Sequence, residues 1–330
     1  MSKRNAQISG TGMYVPEKVV PNSYFNEILG EDVDTWLREN VQIYERRWTS
    51  EDESTADLAE KAARKAMDDA SVSANELDLI IISTDTPEYV SPSTASVVQH
   101  RLGAENAGTF DINTACAGFV TALDMGTKYI QSDDQYKTIL IIGAYNMSKF
   151  LNLQDKKTVT LFADGAGAAV LKANKGESGM LASALETKGE YADWMGIYSG
   201  GTHTPVDEKV LEEKTHLLQF VHKFPKELNP QTWSRLIKEL CAKASISPQD
   251  ISRFFITQIN INAIHETLDI IGVDHDKAEY VMHHYGYTGS ACIPMALDQA
   301  HKAGKLKRGD YIIFIGSGGG LAFAGALFKF

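Results

Sequence analysis

The sequence predicts a mixed α/β protein made of two related halves, whose elements stack as five layers in the order α/β/α/β/α. Three observations lead to this prediction: a helix followed by a strand occurs twice, two cysteine-containing segments correspond between the halves, and each half ends in a glycine-rich segment. The chain of 330 residues also exceeds the roughly 250–300 residues at which one hydrophobic core usually stops growing. Two core-forming units are therefore expected.

The first of these observations is a repeated pair of elements. Apolar residues recur at helical spacing over residues 59–70, and a β-rich run follows at 79–82. The same order returns at 233–244 and 254–256. The peptides that link helix and strand also align without a gap, ASVSANELDLIIIST against ASISPQDISRFFITQ. Agreement over this length indicates an internal duplication.

The duplication extends to the rest of each half. TACAGFVTAL, around Cys116, corresponds to SACIPMAL, around Cys292, and glycine-rich segments at 162–173 and 314–330 end the two halves. The runs TILIIGA and YIIFIG are almost wholly apolar, which is typical of strands covered by helices on both faces. These segments favour two sheets, each packed between helices.

The predicted division gives an N-terminal half at 1–174, which carries the cysteine of interest, and a C-terminal half at 175–330. Residues 183–228 are polar, weakly periodic and without a counterpart in the first half. We interpret them as a long insertion near the functional site. The charged run at 207–214 is interpreted as a solvated helix face.

Composition narrows the classes of function. The net charge of −11 argues against nucleic-acid binding, which needs clustered Lys and Arg. No run approaches the roughly 20 apolar residues of a membrane span, and the N-terminus has no apolar segment of the signal-peptide type. A cytoplasmic protein without a membrane partner is expected.

The cysteines point to a reducing compartment. Cys116, Cys241 and Cys292 are too few and too scattered for a disulfide framework, and none forms a close pair typical of a metal site. We therefore expect no metal.

Cys116 is the candidate nucleophile. In DINTACAGFV the turn-prone Asn113 and Thr114 precede small residues and an apolar helical run, which places the sulfur near a helix N-terminus. The helix dipole favours a thiolate there, so a lowered pKa is expected for the thiol. The alternative interpretation is a buried structural cysteine, since free cysteine is among the most buried residue types.

The motifs TACAGF, FADGAGAAVL and GSGGG, in a duplicated chain opening with SGTGMYVPEKVV, resemble the β-ketoacyl-ACP synthase III family of the thiolase superfamily. The resemblance runs nearly end to end and implies a thiolase fold. It also implies that Cys116 accepts an acyl group from acyl-CoA, and that this group is joined to malonyl-ACP with release of carbon dioxide. Acyl-CoA and acyl carrier protein are then partners, and no cofactor is expected.

The resemblance also assigns the groups that would hold the reacting thioester oxygen. That oxygen becomes negative in a tetrahedral intermediate, and backbone N–H groups can stabilise it. By correspondence these are the N–H groups of Cys116 and of Gly319 in GSGGG.

Two supporting positions depart from the family. A histidine that begins an HQAN-like motif is replaced by Thr257 in TQIN, and an asparagine in a GNTSA-like loop is replaced by Tyr287 in GYTGSA. Both family residues act on the malonyl partner. Loss of a preorganised donor of this kind costs on the order of 3 kcal/mol. Ordinary malonyl condensation is therefore expected to be impaired.

Another imidazole could replace the missing histidine. His283 and His284 lie just before Tyr287, in a loop that the resemblance places near the pocket. His284 is taken as the candidate base. The alternative is that both are surface or interface histidines.

The resemblance further suggests a binding surface for the substrate. Trp36 matches a tryptophan that holds CoA, Lys156 or Lys157 falls near a basic position, and Asn260 keeps the last position of the first motif. Ser91 stands where some members place a bulky residue that limits acyl length, which suggests a longer or different acyl pocket. Trp36 could equally be a half-buried packing residue.

Two functions follow from the sequence. The first is a divergent synthase III-like acyltransferase that keeps acylation of Cys116 and alters the later partner chemistry. The second is a catalytically silent subunit that completes the dimer of an active ketosynthase. A homodimer, or a heterodimer with a paralogue, is expected because the family pairs its first-half sheets. The acyl chain, the acceptor and the pathway stay open.

Overall fold

The computed structural model describes residues 4–330 as two central sheets with helices between and outside them. The strands are β1 (Asn5–Tyr14), β2 (Lys18–Pro21), β3 (Glu45–Trp48), β4 (Leu79–Ser83), β5 (Gly108–Ile112), β6 (Thr138–Asn146), β7 (Asp164–Asn174), β8 (Gly179–Thr187), β9 (Met195–Gly196), β10 (Gln219–Phe220), β11 (Ile251–Ile256), β12 (Tyr311–Gly318) and β13 (Ala322–Lys329). The helices are α1 (Asn22–Leu29), α2 (Asp34–Trp36), α3 (Thr55–Ala70), α4 (Thr94–Leu102), α5 (Gly118–Ser132), α6 (Lys156–Val159), α7 (Glu208–Glu212), α8 (Leu228–Lys243), α9 (Ile261–Ile271), α10 (Met282–Tyr285) and α11 (Cys292–Lys302).

The two sheets repeat one topology. The first has the strand order β1-β7-β6-β4-β5 and the second β8-β13-β12-β11. In both orders the first two pairs are antiparallel (β1 with β7 and β7 with β6; β8 with β13 and β13 with β12), and the third pair is parallel (β6 with β4, β12 with β11). The predicted duplication is therefore confirmed. The first sheet carries the additional strand β5 at its edge.

Three hydrophobic clusters separate the layers. One lies between the first sheet and α3 with α4, and another between the second sheet and α8 with α9. The largest lies between the sheets around α5 and α11. The order is α/β/α/β/α, as predicted, because the apolar strands of each sheet bury both faces.

The two cysteine-containing segments meet at the centre of the molecule. Each central helix is preceded by a single 3₁₀ turn, Ala115–Ala117 before α5 and Gly289–Ala291 before α11, and the two turns contact each other. Cys116 therefore lies where the two halves join.

The insertion begins later than the predicted residue 183. Residues up to Thr187 belong to β8, an edge strand that pairs with β13. The strand looked weakly periodic because its outer residues alternate irregularly between buried and exposed at the sheet edge. The charged run forms the short α7 with exposed side chains, as expected for a solvated face.

Within residues 4–330, no helix combines the length and the apolarity that crossing a membrane requires.

Candidate active site

Cys116 lies in a tight turn between β5 and α5. The preceding residue, Ala115, has φ of +45°, in the left-handed region that side chains other than glycine seldom adopt. Such a conformation costs on the order of 1–3 kcal/mol and is most common at functional sites. The turn directs Cys116 into the interface between the halves, where 3% of the residue is exposed.

The expectation of a lowered thiol pKa is wrong. Burial raises the pKa of Cys116 well above its ordinary value, and the negative charge of Asp85 raises it further. A hydrogen bond from Tyr287 and the backbone N–H of Cys116 act in the opposite direction but are weaker. Desolvation outweighs the helix terminus here because the sulfur lies inside the central layer.

Tyr287 is held rigidly beside the thiol. Its N–H donates to Leu161 O at 2.8 Å, and its carbonyl accepts from Ala163 N at 2.9 Å, so the backbone on both sides of Phe162 fixes it. Interaction with the Tyr287 side chain lowers the pKa of the Cys116 thiol, so the two side chains lie close together. The residue that replaces the family's asparagine is thus a polar neighbour of the sulfur.

A second tyrosine completes an aromatic wall. Tyr145, on β6, lies 6.4 Å from Phe162 between ring centroids, and Phe162 lies 5.4 Å from Tyr287. Tyr145 fits only because residue 289 is glycine, since a Cβ there would approach the ring to 2.3 Å. Neither Tyr145 nor its role was predicted from the sequence.

The glycine-rich turn of the second half packs directly on the Cys116 turn. A Cβ at Gly318 would lie 2.4 Å from Cys116 N, which brings β12 into backbone contact with the nucleophile. Gly319 follows next to Met195 O, whose distance to a Cβ there would be 3.1 Å. Gly319, the predicted donor, is thus the residue after the glycine that contacts the Cys116 backbone, and its role as a donor stays a prediction.

Thr257 holds this turn. Its hydroxyl accepts from Ser317 N at 2.8 Å and donates to Ser317 O at 3.4 Å, and its own N–H donates to Ile315 O. The Thr257 side chain is buried. Because its hydroxyl both accepts from and donates to Ser317, Thr257 positions the end of β12, directly before Gly319.

The structure does not bring the two predicted histidines to the thiol. His283 Nδ1 donates to Gln42 O at 2.7 Å and its ring stacks on Tyr44, while the His284 side chain is 67% exposed with its Nδ1 3.8 Å from Glu45. Among the described residues, no histidine is one of those whose charge or hydrogen bonding most strongly shifts the pKa of Cys116. The backbone of α10 turns both imidazoles toward β3 and solvent, so the alternative of surface histidines fits.

Two of the predicted substrate-binding residues, Trp36 and Asn260, are connected through Asn40 and Asn262. Trp36 is 53% exposed, and its carbonyl accepts from Asn40 Nδ2. Asn40 O accepts in turn from Asn262 Nδ2, next to Asn260, which caps α9. The Trp36 segment and Asn260 are therefore linked. Lys156, on α6, pairs with Glu31 at 3.0 Å.

Ser91 lines a separate cavity at the carboxyl ends of β4 and β5. The cavity has a volume of about 480 Å³ and is also lined by Tyr89, Val90, Phe110 and Asn113. Cys116 is not among its lining residues, so within this chain Ser91 does not bound the space around the sulfur.

Asp85 is a site residue that the sequence analysis missed. Part of the residue remains accessible, but its Oδ1 is enclosed and has no hydrogen-bond partner among the described residues. Burial raises the pKa of this carboxyl to about 6. A charged residue two positions after the buried strand β4 was the available signal, because functional side chains gather at the carboxyl ends of parallel strands.

Comparison with known proteins decides the family. Residues 110–189 match the family described as 3-Oxoacyl-[acyl-carrier-protein (ACP)] synthase III, and residues 241–330 match its C-terminal part. The β-ketoacyl-[acyl-carrier-protein] synthase III of Clostridium perfringens strain SM101 is 39% identical over 98% of this chain and 99% of its own length. The chain belongs to the synthase III family. The corresponding protein of Clostridioides difficile is 36% identical over 98% of both chains.

Solved structures of the synthase III family share the whole fold. The 3-oxoacyl-[acyl-carrier-protein] synthase III of Aquifex aeolicus superposes with a TM-score of 0.88 at 32% identity, covering 98% of this chain and 100% of its own. The synthase III of Thermus thermophilus gives 0.90 at 28% identity, covering 98% and 99%. The protein therefore has the thiolase fold.

Proposed function

We propose that this synthase III homologue is an acyltransferase that forms an acyl-Cys116 thioester from acyl-CoA and passes the acyl group to an acceptor. The observation that carries the proposal is the direct packing of Gly318 on the Cys116 backbone, with Tyr287 beside the thiol. No cofactor takes part, because the thioester is already an activated acyl group. The cytoplasm, where thiols stay reduced, suits this chemistry.

Each group has a role in acylation. The Cys116 sulfur attacks the thioester carbon, and the oxygen that becomes negative lies between the N–H groups of Cys116 and Gly319. The Tyr287 hydroxyl donates to the sulfur as it gains charge, which offsets part of the desolvation cost. Collapse of the intermediate releases CoA and leaves the acyl group on sulfur.

Malonyl condensation is the step we propose to be weak. An enolate would need donors where the family has histidine and asparagine. The Thr257 hydroxyl is already bonded to Ser317, and the Tyr287 hydroxyl to Cys116. An acceptor other than malonyl-ACP is therefore favoured for the acyl group.

The test is incubation with a series of acyl-CoA thioesters, followed by intact mass analysis. We expect an increase in mass equal to one acyl group, and no increase in Cys116→Ala. Parallel incubation with malonyl-ACP should give little release of carbon dioxide. The absence of an adduct with every acyl-CoA would contradict the proposal.

The second candidate function is a silent partner subunit. It is favoured by the raised thiol pKa and by the 3% exposure of Cys116. This function predicts co-purification with a paralogue that keeps cysteine, histidine and asparagine. Turnover by the isolated protein would exclude it.

We propose a dimer formed through β5. This strand pairs with β4 on one edge, while its half-buried Phe110 and Ile112 lie at the open edge of the sheet. An open strand edge readily pairs with another chain. The family resemblance favours the same edge for homodimers and for heterodimers.

Thr109→Pro is expected to weaken this dimer. Gly108 N–H donates toward β4, to Asp78 O, so the alternation of the strand turns the Thr109 N–H toward the open edge, where proline removes it. Sedimentation should shift from twice the chain mass toward 36.3 kDa. Thr109→Val, which keeps the N–H, is the control. A dimer of unchanged strength in Thr109→Pro would argue for a different interface.

A further inference from the structure

We propose that the Asp85 carboxylate accepts the thiol proton of Cys116 during acylation, in place of the imidazole that the chain lacks at this site. The assignment rests on the acyl transfer proposed above and deepens it, because it supplies the base that Thr257 cannot provide. It concerns a residue with no role in the preceding mechanism.

The fold places the Asp85 loop against the Cys116 turn. The Cβ that Gly118 lacks would lie 1.7 Å from Ser83 Oγ, so the end of β4 touches the start of α5. The Thr84 N–H donates to Ile112 O at 3.2 Å, which ties the loop to β5 just ahead of the turn. Asp85 follows directly.

The lack of a hydrogen-bond partner for the Asp85 carboxyl also indicates a functional role. A buried polar atom normally has a hydrogen-bond partner, and a buried charge is normally paired. Asp85 Oδ1 has none among residues 4–330. By contrast, the buried Asp164 accepts from Thr49 and Ser148 through both oxygens. Asp85 therefore keeps its capacity to accept a proton.

The proton transfer balances in two steps. As the Cys116 sulfur bonds to the thioester carbon, its proton passes to the Asp85 carboxylate. When the carbon–sulfur bond to CoA breaks, the CoA sulfur takes up that proton and leaves as a neutral thiol. The acyl-enzyme forms and the Asp85 carboxylate is regenerated.

Other titratable groups around the sulfur do not ionise in the same range. Burial raises the pKa of Cys292 to about 12 and those of Tyr145 and Tyr287 well above their ordinary value. Asp164 alone shares a pKa of about 6, also through burial, and its charge acts on Tyr145. Of the groups named here around the sulfur, Asp85 and Asp164 are the two whose charge changes near pH 6.

The assignment can be tested without acyl-CoA. The rate at which iodoacetamide alkylates Cys116 is measured by intact mass analysis from acid to alkaline pH. In the wild type we expect the rate to rise in a step centred near pH 6. This step lies below the pH range in which the Cys116 thiol itself ionises and the rate rises again. Asp85→Asn should lose the step and react about a hundredfold more slowly at neutral pH. Asp164→Asn is the matched control and should keep the step.

A bystander role for Asp85 predicts the opposite sign. Its negative charge raises the Cys116 pKa, so removing it would only move the thiolate limb to lower pH and speed alkylation. Equal or faster alkylation in Asp85→Asn, or a wild-type profile without the step, would overturn the assignment. An intact step with no adduct from any acyl-CoA would support Asp85 and instead count against the proposed acyl transfer.

Discussion

Gly318→Ala is expected to reduce acylation of Cys116 by about a thousandfold, because its methyl group would occupy the space of the nucleophile's own backbone. The added Cβ would lie 2.4 Å from Cys116 N, 2.8 Å from Ala115 Cβ and 2.9 Å from Thr114 O. None of these atoms is the end of a flexible side chain. The Cys116 turn and the end of β12 must separate, and with them the two N–H groups that we propose receive the oxyanion.

The same substitution should lower the free energy of unfolding by about 3 kcal/mol, the upper range for overpacking a close-packed core. Acylation by mass and chemical denaturation measure the two effects. Gly189→Ala is the control, since a Cβ there meets no atom within 4 Å. Acylation of Gly318→Ala at a rate near that of wild type would mean that the two turns need not touch for the chemistry.

Tyr287→Phe is expected to raise the pKa of the Cys116 thiol by about one unit or more and to slow acylation tenfold to a hundredfold, since a hydrogen bond to a charged group contributes about 1.5–3 kcal/mol. The hydroxyl donates to the sulfur and favours the thiolate, so its removal leaves burial and the Asp85 charge less opposed. The pH dependence of alkylation measures the change in the thiol pKa, and acylation followed by intact mass measures the change in rate.

Tyr145→Phe is the matched control for Tyr287→Phe. It removes a hydroxyl from the same aromatic wall, while the side-chain hydrogen bond to the thiol is the one from Tyr287. Its alkylation profile should follow that of wild type. If the two variants behave alike, the general polarity of the wall, and not one directed hydrogen bond, sets the reactivity of the sulfur.

The architecture could be predicted from the sequence because patterns among residues close in the chain determine its helices and strands. The apolar periodicity at 59–70, the continuous strands and the corresponding cysteine segments each depend on neighbours close in the chain. Their repetition then fixed the pairing of the sheets. The place of Cys116 at the join of the halves followed from the same duplication.

The electrostatics of the site could not be predicted in this way. The thiol pKa depends on how deeply Cys116 is buried and on Asp85, which lies 31 residues earlier in the chain. Likewise, the fit of Tyr145 depends on Gly289, from the other half. His284 was misjudged because proximity in sequence to Tyr287 does not fix the direction of a side chain on α10.

The dependence of Tyr145 on Gly289 couples substitutions at two positions that lie in different halves of the chain. Any larger residue at 289 collides with the ring while Tyr145 is present, so position 145 must shrink first. Changing Tyr287 alone to a small amide would leave an unfilled space beside Phe162, and such a void costs several kcal/mol in a packed interior. A larger side chain at position 289 therefore requires that the Tyr145 ring be lost first or at the same time.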